Sequence, residues 1–286
     1  MRVDSRREIR EFLASRRARV TPEQAGLVAY GRNRRVPGLR REEVAMLAGV
    51  SIDYYTQMER GQARGVSAEV LAAIARALQL DEAERAHLSD LMRTAGTSPS
   101  PGHRPARLRI RPSVQQVLDA LTEAAAFVRN GRLDILAVNK LCSALYSQVL
   151  ASPVQPANLA RFIFLDGRDA GFYADWEGIA RAAAGSLRAE SGRVPSDRVL
   201  ADLIDDLSTR SEEFREMWAA HDVTFYRTGV QPFRHPFAGE FSLNYTALEL
   251  PADPGQTMIV YTADPRSAAH EALQTLGTWT PAPIAG

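Results

Sequence analysis

Between Gly38 and Gly61 the chain carries side chains suited to reading a base-paired duplex. Gln57 presents the donor and acceptor pair that matches adenine, Asp53 an acceptor, and Ser51 and Tyr54 hydroxyls, while Arg60 and Arg64 can reach guanine or phosphate. Just upstream, Arg32, Arg34, Arg35, Arg40 and Arg41 place five guanidiniums within ten residues. Such a run is usually a solvated face; beside a helix that crosses a phosphate backbone it supplies sequence-independent contacts with a strong salt dependence. The expected signatures differ: Gln57→Ala relaxes preference at one base, whereas Arg34→Ala weakens binding to all sequences and lowers the salt slope by about 1. Identical losses of specificity from both changes would refute the assignment.

Two short helices must position these groups. Glu42 and Glu43 complement the macrodipole in the first turn of one, and Val44, Leu47 and Ala48 give it an apolar face. Gly49 ends that helix with a residue able to take positive φ, and Ser51 caps the next. The second helix turns Tyr55, Met58 and Glu59 inward, leaves Ile52, Asp53, Tyr54, Thr56 and Gln57 nearer the outside, and stops at Gly61. A plain helical hairpin would show the same two stripes. The spacing of Ala48, Gly49-Val50-Ser51, buried Tyr55, Glu59 and Gly61 resembles the Cro/repressor-like class of helix-turn-helix, which implies DNA binding.

The 286 residues suffice for two domains with separate cores. Residues 1–110 hold 20 arginines against 13 acids, whereas the remainder has 15 basic and 21 acidic residues, so the front part is the one suited to nucleic acid. A single cysteine, Cys142, excludes an internal disulfide framework, and no apolar leader opens the sequence. No stretch approaches the roughly 18 uninterrupted apolar residues that would span a membrane. A cytoplasmic, nucleoid-associated protein is expected.

Around the reader, Ser5 to about Ala18 reads as a helix with Ile9, Phe12 and Leu13 on one face. Ser67 and Asp81 cap two more helices, bearing Val70, Leu71, Ile74 and Leu78, then Leu88, Leu91 and Met92. Residues 1–93 thus form an all-α, lambda-repressor-like domain, and the Pro/Gly/Arg-rich stretch 94–110 is a linker. A second domain, 111–277, with a tail over 278–286, opens on a helix with Val114, Val117, Leu118 and Leu121. Asn130-Gly131 follows as a type I′ hairpin between Phe127-Val128 and Leu133 to Val138. Lys140 to Leu150 and most of Ala157 to His221 are helical, with Ser196 and Ser211 as caps. Strands return at Val223 to Thr228, Gln231 to Phe237, Glu240 to Leu250 and Met258 to Thr262, before a helix from about Ser267 to Leu276. The order is that of an α+β domain with one antiparallel sheet.

The GLRREEVA..AGVS..YY unit, VLAAIARALQL, RLDILAVN, ARFIFLD, FYADWEGIAR, FRHPFAGEFSLNY and DPGQTMIVYTADP together resemble the MmyB-like family of actinobacterial transcription regulators. They cover nearly all of residues 5–277. The resemblance implies a PAS-like second domain that holds a fatty-acyl or similar apolar molecule, and action at promoters. Val138-Asn139-Lys140 departs from the family's Trp-Asn at this point, which bears on pocket shape.

Strand alternation sets His235 on the face of Phe233 and Phe237 and turns Arg234 away. One of the two could meet an acidic headgroup; the alternative is a sheet histidine and a paired surface arginine. Tyr173, Trp176, Phe225 and Tyr245 are candidate pocket walls or simply core. Asn139 either orients a ligand or caps the following helix. There is no GxSxG, Walker loop or HExxH, and the five histidines show no ligand spacing, so neither catalysis nor a metal cofactor is expected. The partners implied are a double-stranded DNA operator, a small apolar effector and a second copy of the chain, because one reader covers only a half-site. Two alternatives stay open: a second domain that serves only dimerisation or protein interaction, and an enzyme fused to a DNA-binding domain.

Overall fold

Ile9, Phe12 and Leu13 are fully buried on one face of α1 (Ser5–Arg19), the first element of the computed structural model. The structure describes residues 5–27, 36, 38–62, 65–96, 109–166 and 171–278. They fall into two compact units: Met1–His103 with Arg188–Asp205 and Met217–Thr224, and Arg104–Leu187 with Asp206–Glu216 and Phe225–Gly286.

In the first unit α1 is followed by α2 (Arg41–Ala48), α3 (Ile52–Glu59), α4 (Ala68–Ala77) and α5 (Glu82–Gly96). α2 packs on α3 and α4, and α1 packs on α3 and α5. Each helix start satisfies amides that no helical partner can reach. The Arg40 amide donates to the Glu43 carboxylate at 2.7 Å, and the Ser51 and Ser67 hydroxyls accept from Tyr54 and Val70 at 3.1 and 3.3 Å. Asp81 and Glu84 form a reciprocal box, each side chain accepting from the other's amide. Gly49 takes φ +67° between α2 and α3. Gly61 combines φ +70° with close approach, since a Cβ there would lie 2.6 Å from Cα of Arg6.

The expected boundary near residue 93 separates the chain only in part, because three helices of its second half contribute to both units. They are α10 (Trp176–Arg193), α11 (Arg198–Arg210) and α12 (Glu212–Ala219). In the first unit Arg188 of α10 is 1% exposed, pairs with Glu8 of α1 and stacks 3.9 Å from the Trp218 ring. Arg16 is also buried, with Glu84 at 2.7 Å.

The second unit begins with α6 (Pro112–Ala120), then β1 (Ala125–Asn130), β2 (Ile135–Val138), α7 (Lys140–Leu145), α8 (Ser147–Leu150) and α9 (Leu159–Arg161), which runs into a π-helical segment, Phe162–Asp166. After the shared helices come β3 (Thr228–His235), β4 (Gly239–Glu249), β5 (Gln256–Thr262) and α13 (Ala268–Thr278). The strands form one antiparallel sheet in the order β2-β1-β5-β4-β3. On one face Val114 and Leu118 of α6 bury Ala126, Val128 and Met258. Val117, expected on that apolar face, is 53% exposed. The other face carries Phe127, Phe233, Phe241 and Tyr261, joined by Tyr146 and Phe172 in a cluster of edge-to-face and tilted rings.

Three local expectations are corrected. The β1–β2 hairpin exists, but its loop is not a two-residue type I′ turn: positive φ falls on Leu133, and the Asn130 side chain accepts from the amides of Arg132 and Asp134 at 2.9 and 3.0 Å. An asparagine that folds the loop around its own carbonyl replaces the need for left-handed Gly131. Residues 223–227 form no strand, and Gly229 lies inside β3 instead of breaking it. That glycine is needed for space, because a Cβ there would lie 2.9 Å from the Tyr245 ring, which stacks on Tyr226 at 3.9 Å. Asp197, not Ser196, caps α11 by accepting from Leu200 at 3.1 Å. Ser211 caps α12 as expected, accepting from Phe214.

Candidate DNA-reading helix and effector pocket

The roll of α3 is fixed by what it buries. Tyr55 and Met58 are fully buried and Glu59 is 1% exposed. Arg17 grips Glu59 with two bonds of 3.0 Å and donates a third, at 2.9 Å, to the Leu39 carbonyl. Arg41 adds a contact to Glu59 at 2.9 Å. Burial alone would raise the Glu59 pKa, but hydrogen bonds from Arg17 and Arg41 outweigh it and hold the carboxyl below its ordinary value. Burial raises the pKa of the neighbouring Tyr55 hydroxyl, and the Glu59 charge adds to the rise.

With that face anchored, Ser51, Asp53, Gln57 and Arg60 are exposed and Tyr54 is half-buried. The structure therefore brings four of the expected reading residues to the outer surface of one short helix. Arg40 is exposed and lies 3.3 Å from Glu42. Arg41 has a structural role at Glu59, which sequence reasoning did not assign to it. Arg34, Arg35 and Arg64 lie outside the described residues.

In the second unit one pocket is enclosed by the aromatic face of the sheet and by α10. Its empty volume, open solvent included, is about 380 Å³. Ile179, Ala182, Ala183 and Ser186 supply one wall at i, i+3, i+4 and i+7, and the two alanines leave the space. Leu133, Leu159 and Ile163 extend the apolar lining, and Phe127, Tyr146, Tyr173, Tyr226, Tyr261 and Arg129 complete it. The hydroxyls of Tyr146 and Tyr261 are 2.7 Å apart, and that of Tyr226 lies 3.4 Å from Tyr261. Burial raises the pKa of each of these tyrosines, so they meet a ligand as neutral hydroxyls. Arg129 is the one charged side chain in the lining among the described residues.

Of the residues proposed from sequence as ligand contacts, Tyr173 lines this pocket and the others do not. Asn139 is fully occupied: its carbonyl accepts from Ala126 and Cys142, and its amide donates to the Leu121 and Ala124 carbonyls. Arg234 is exposed on Glu240 at 2.7 Å. His235 accepts from the Phe237 and Ala238 amides and bonds the backbone of Ala144; burial lowers its pKa, so it is a neutral structural imidazole. Trp176 donates to the Ile163 carbonyl, Phe225 lies beneath the Arg227 guanidinium, Phe233 belongs to the ring cluster, and Tyr245 stacks on Tyr226. The helical stripe 179-182-183-186 was readable as a pattern, but nothing in it says that it faces a space.

Glu8, Glu11 and His221 bring potential ligand atoms within 4.8 Å of one another. Arg188 pairs with Glu8 there, and burial, aided by Arg188, pushes the His221 pKa down to about 4. The group reads as an ion-pair network. Cys142 is fully buried, and burial raises its thiol pKa. No helix among the described residues is long and apolar enough to cross a membrane.

A capped helical pair with an exposed polar second helix, in a chain that also encloses an apolar pocket, defines a helix-turn-helix regulator with a ligand-binding domain. Family comparison agrees: a helix-turn-helix domain model matches residues 8–88, and the MmyB-like transcription regulator ligand binding domain matches residues 110–276. The chain belongs to the MmyB-like transcription regulator family. It is a DNA-binding helix-turn-helix regulator with a ligand-binding-type domain. Comparison with curated proteins gives no match.

Proposed function

We propose that the protein is a sequence-specific, homodimeric transcription regulator whose second unit binds an apolar, fatty-acyl-like effector and thereby changes operator affinity. The observation that carries this reading is the pocket, apolar at Ile179, Ala182 and Ala183 of α10 and polar at Ser186, Arg129 and the tyrosine hydroxyls. That polarity suits an aliphatic body with one acidic end, which Arg129 would meet. α10 offers a route for the coupling. Ile179 to Ser186 form the pocket wall, and Arg188, two residues on, is the partner of Glu8 on α1 in the reader's unit. A ligand that shifts α10 therefore acts on the first helix of the reader, with a coupling of about 1–3 kcal/mol.

Mass spectrometry of the purified full chain after denaturation, followed by titration with dodecanoic acid, tests the reading. A retained aliphatic acid, or saturable binding that Ala182→Phe abolishes, supports it. A protein that dimerises and binds DNA with no such ligand would assign the second unit to dimerisation or protein interaction instead.

A further inference from the structure

Ile52 is the first residue of α3, and it is 53% exposed. An isolated exposed isoleucine needs no explanation on a protein surface; its place on this helix does. It follows the Ser51 cap and precedes exposed Asp53, at the end of the reading helix that enters the major groove in helix-turn-helix complexes. A β-branched residue brings no helical preference to that position. The neighbouring Asp53 carboxylate would be repelled by phosphates, so this tip is suited to base edges and not to the backbone. The apolar group displayed in the major groove is the 5-methyl of thymine.

We infer that Ile52 reads a thymine methyl, giving the half-site one thymine recognised by contact without a hydrogen bond. The inference rests on the sequence-specific reading above. Its test begins with enrichment of duplexes from a random library by the full chain. Each thymine of the enriched half-site is then replaced in turn by deoxyuridine, which removes only the methyl, and affinities are measured by fluorescence anisotropy.

For the unaltered protein, one replacement per half-site lowers affinity about threefold to fivefold, the worth of one buried methyl. Ile52→Ala binds the thymine duplex as weakly as the unaltered protein binds the deoxyuridine one, and it loses nothing further on replacement. Ile52→Val keeps the discrimination, and Gln57→Ala, altered beside it, still senses the methyl. Because Ile52 lies outside the core, Ile52→Ala keeps α3 folded, which circular dichroism verifies. Indifference of the unaltered protein to every replacement, or undiminished discrimination by Ile52→Ala, would overturn the inference. Failure to enrich any motif would overturn the sequence-specific reading itself, and the inference with it.

Discussion

The two units fill their centres differently. Beneath the reading helix a carboxylate that is 1% exposed is held by two arginines. On the inward face of the sheet, aromatic rings meet edge to face and leave a pocket whose polar groups are neutral hydroxyls and one guanidinium. A buried ion pair with directed hydrogen bonds fixes one orientation, which a reader needs if its outer side chains are to meet base edges in register. A wall of small side chains on a long helix can shift around a guest, and that suits a sensor.

The contrast is broken most directly at Glu59. Glu59→Ala leaves Arg17 half enclosed without its carboxylate and is expected to cost the first unit about 3–5 kcal/mol. Thermal unfolding should show a reader transition at lower temperature, with operator binding lost. The corresponding change in the second unit is Asn139→Ala, which removes a helix cap and four bonds. It should destabilise that unit by about 2–4 kcal/mol and leave the reader's transition in place. If both variants lowered a single shared transition equally, the two units would not be independent.

Acid sharpens the same point. Glu59 is held below its ordinary pKa of 4.5 in the folded protein. Its contribution is therefore fully present above about pH 4.5 and is lost as pH falls through the lower folded value. Urea titrations of the first unit between pH 6 and pH 3 should show that decline, and Glu59→Gln, starting lower, should fall less steeply. A smaller effect is expected at Arg129. Arg129→Gln should weaken dodecanoic acid about tenfold, leave dodecanol unchanged and shift neither melting transition, as calorimetric titration and unfolding would show.

What could be read in the sequence divides along the same line. The caps and the buried face of α3 were legible because their signals are local: Ser51 caps, Gly49 turns, and Tyr55 and Glu59 repeat at helical spacing. Leu47, expected on the apolar face of α2, is 36% exposed, and α2 buries Val44 and Ala45. The single sheet and its helices were legible from alternation and turns. Where Gly229 and Asn130-Gly131 misled, the deciding contact came from elsewhere in the fold: the Tyr245 ring across the glycine, and an asparagine carbonyl that reorganised the loop. The pocket was the least legible feature. Tyr146, Tyr226 and Tyr261 come from a helix end, a segment before β3 and a central strand, and only the sheet order brings their hydroxyls together. Arg234 and His235 carried a stronger local signal than Arg129, yet the strand expected to run on to Phe237 ends at His235, Phe237 is 53% exposed in the turn, Arg234 pairs with Glu240 and His235 bonds to backbone.

In the proposed mechanism, occupancy of the pocket alters the grip of the reader. The measurement that bears on it most directly is operator affinity of the full chain with and without saturating dodecanoic acid, beside the same pair for Ala182→Phe. Affinity is expected to change about 5- to 150-fold for the unaltered protein and not at all for the filled pocket. Equal affinities with and without the acid, in a protein shown by calorimetry to have bound it, would contradict the claim.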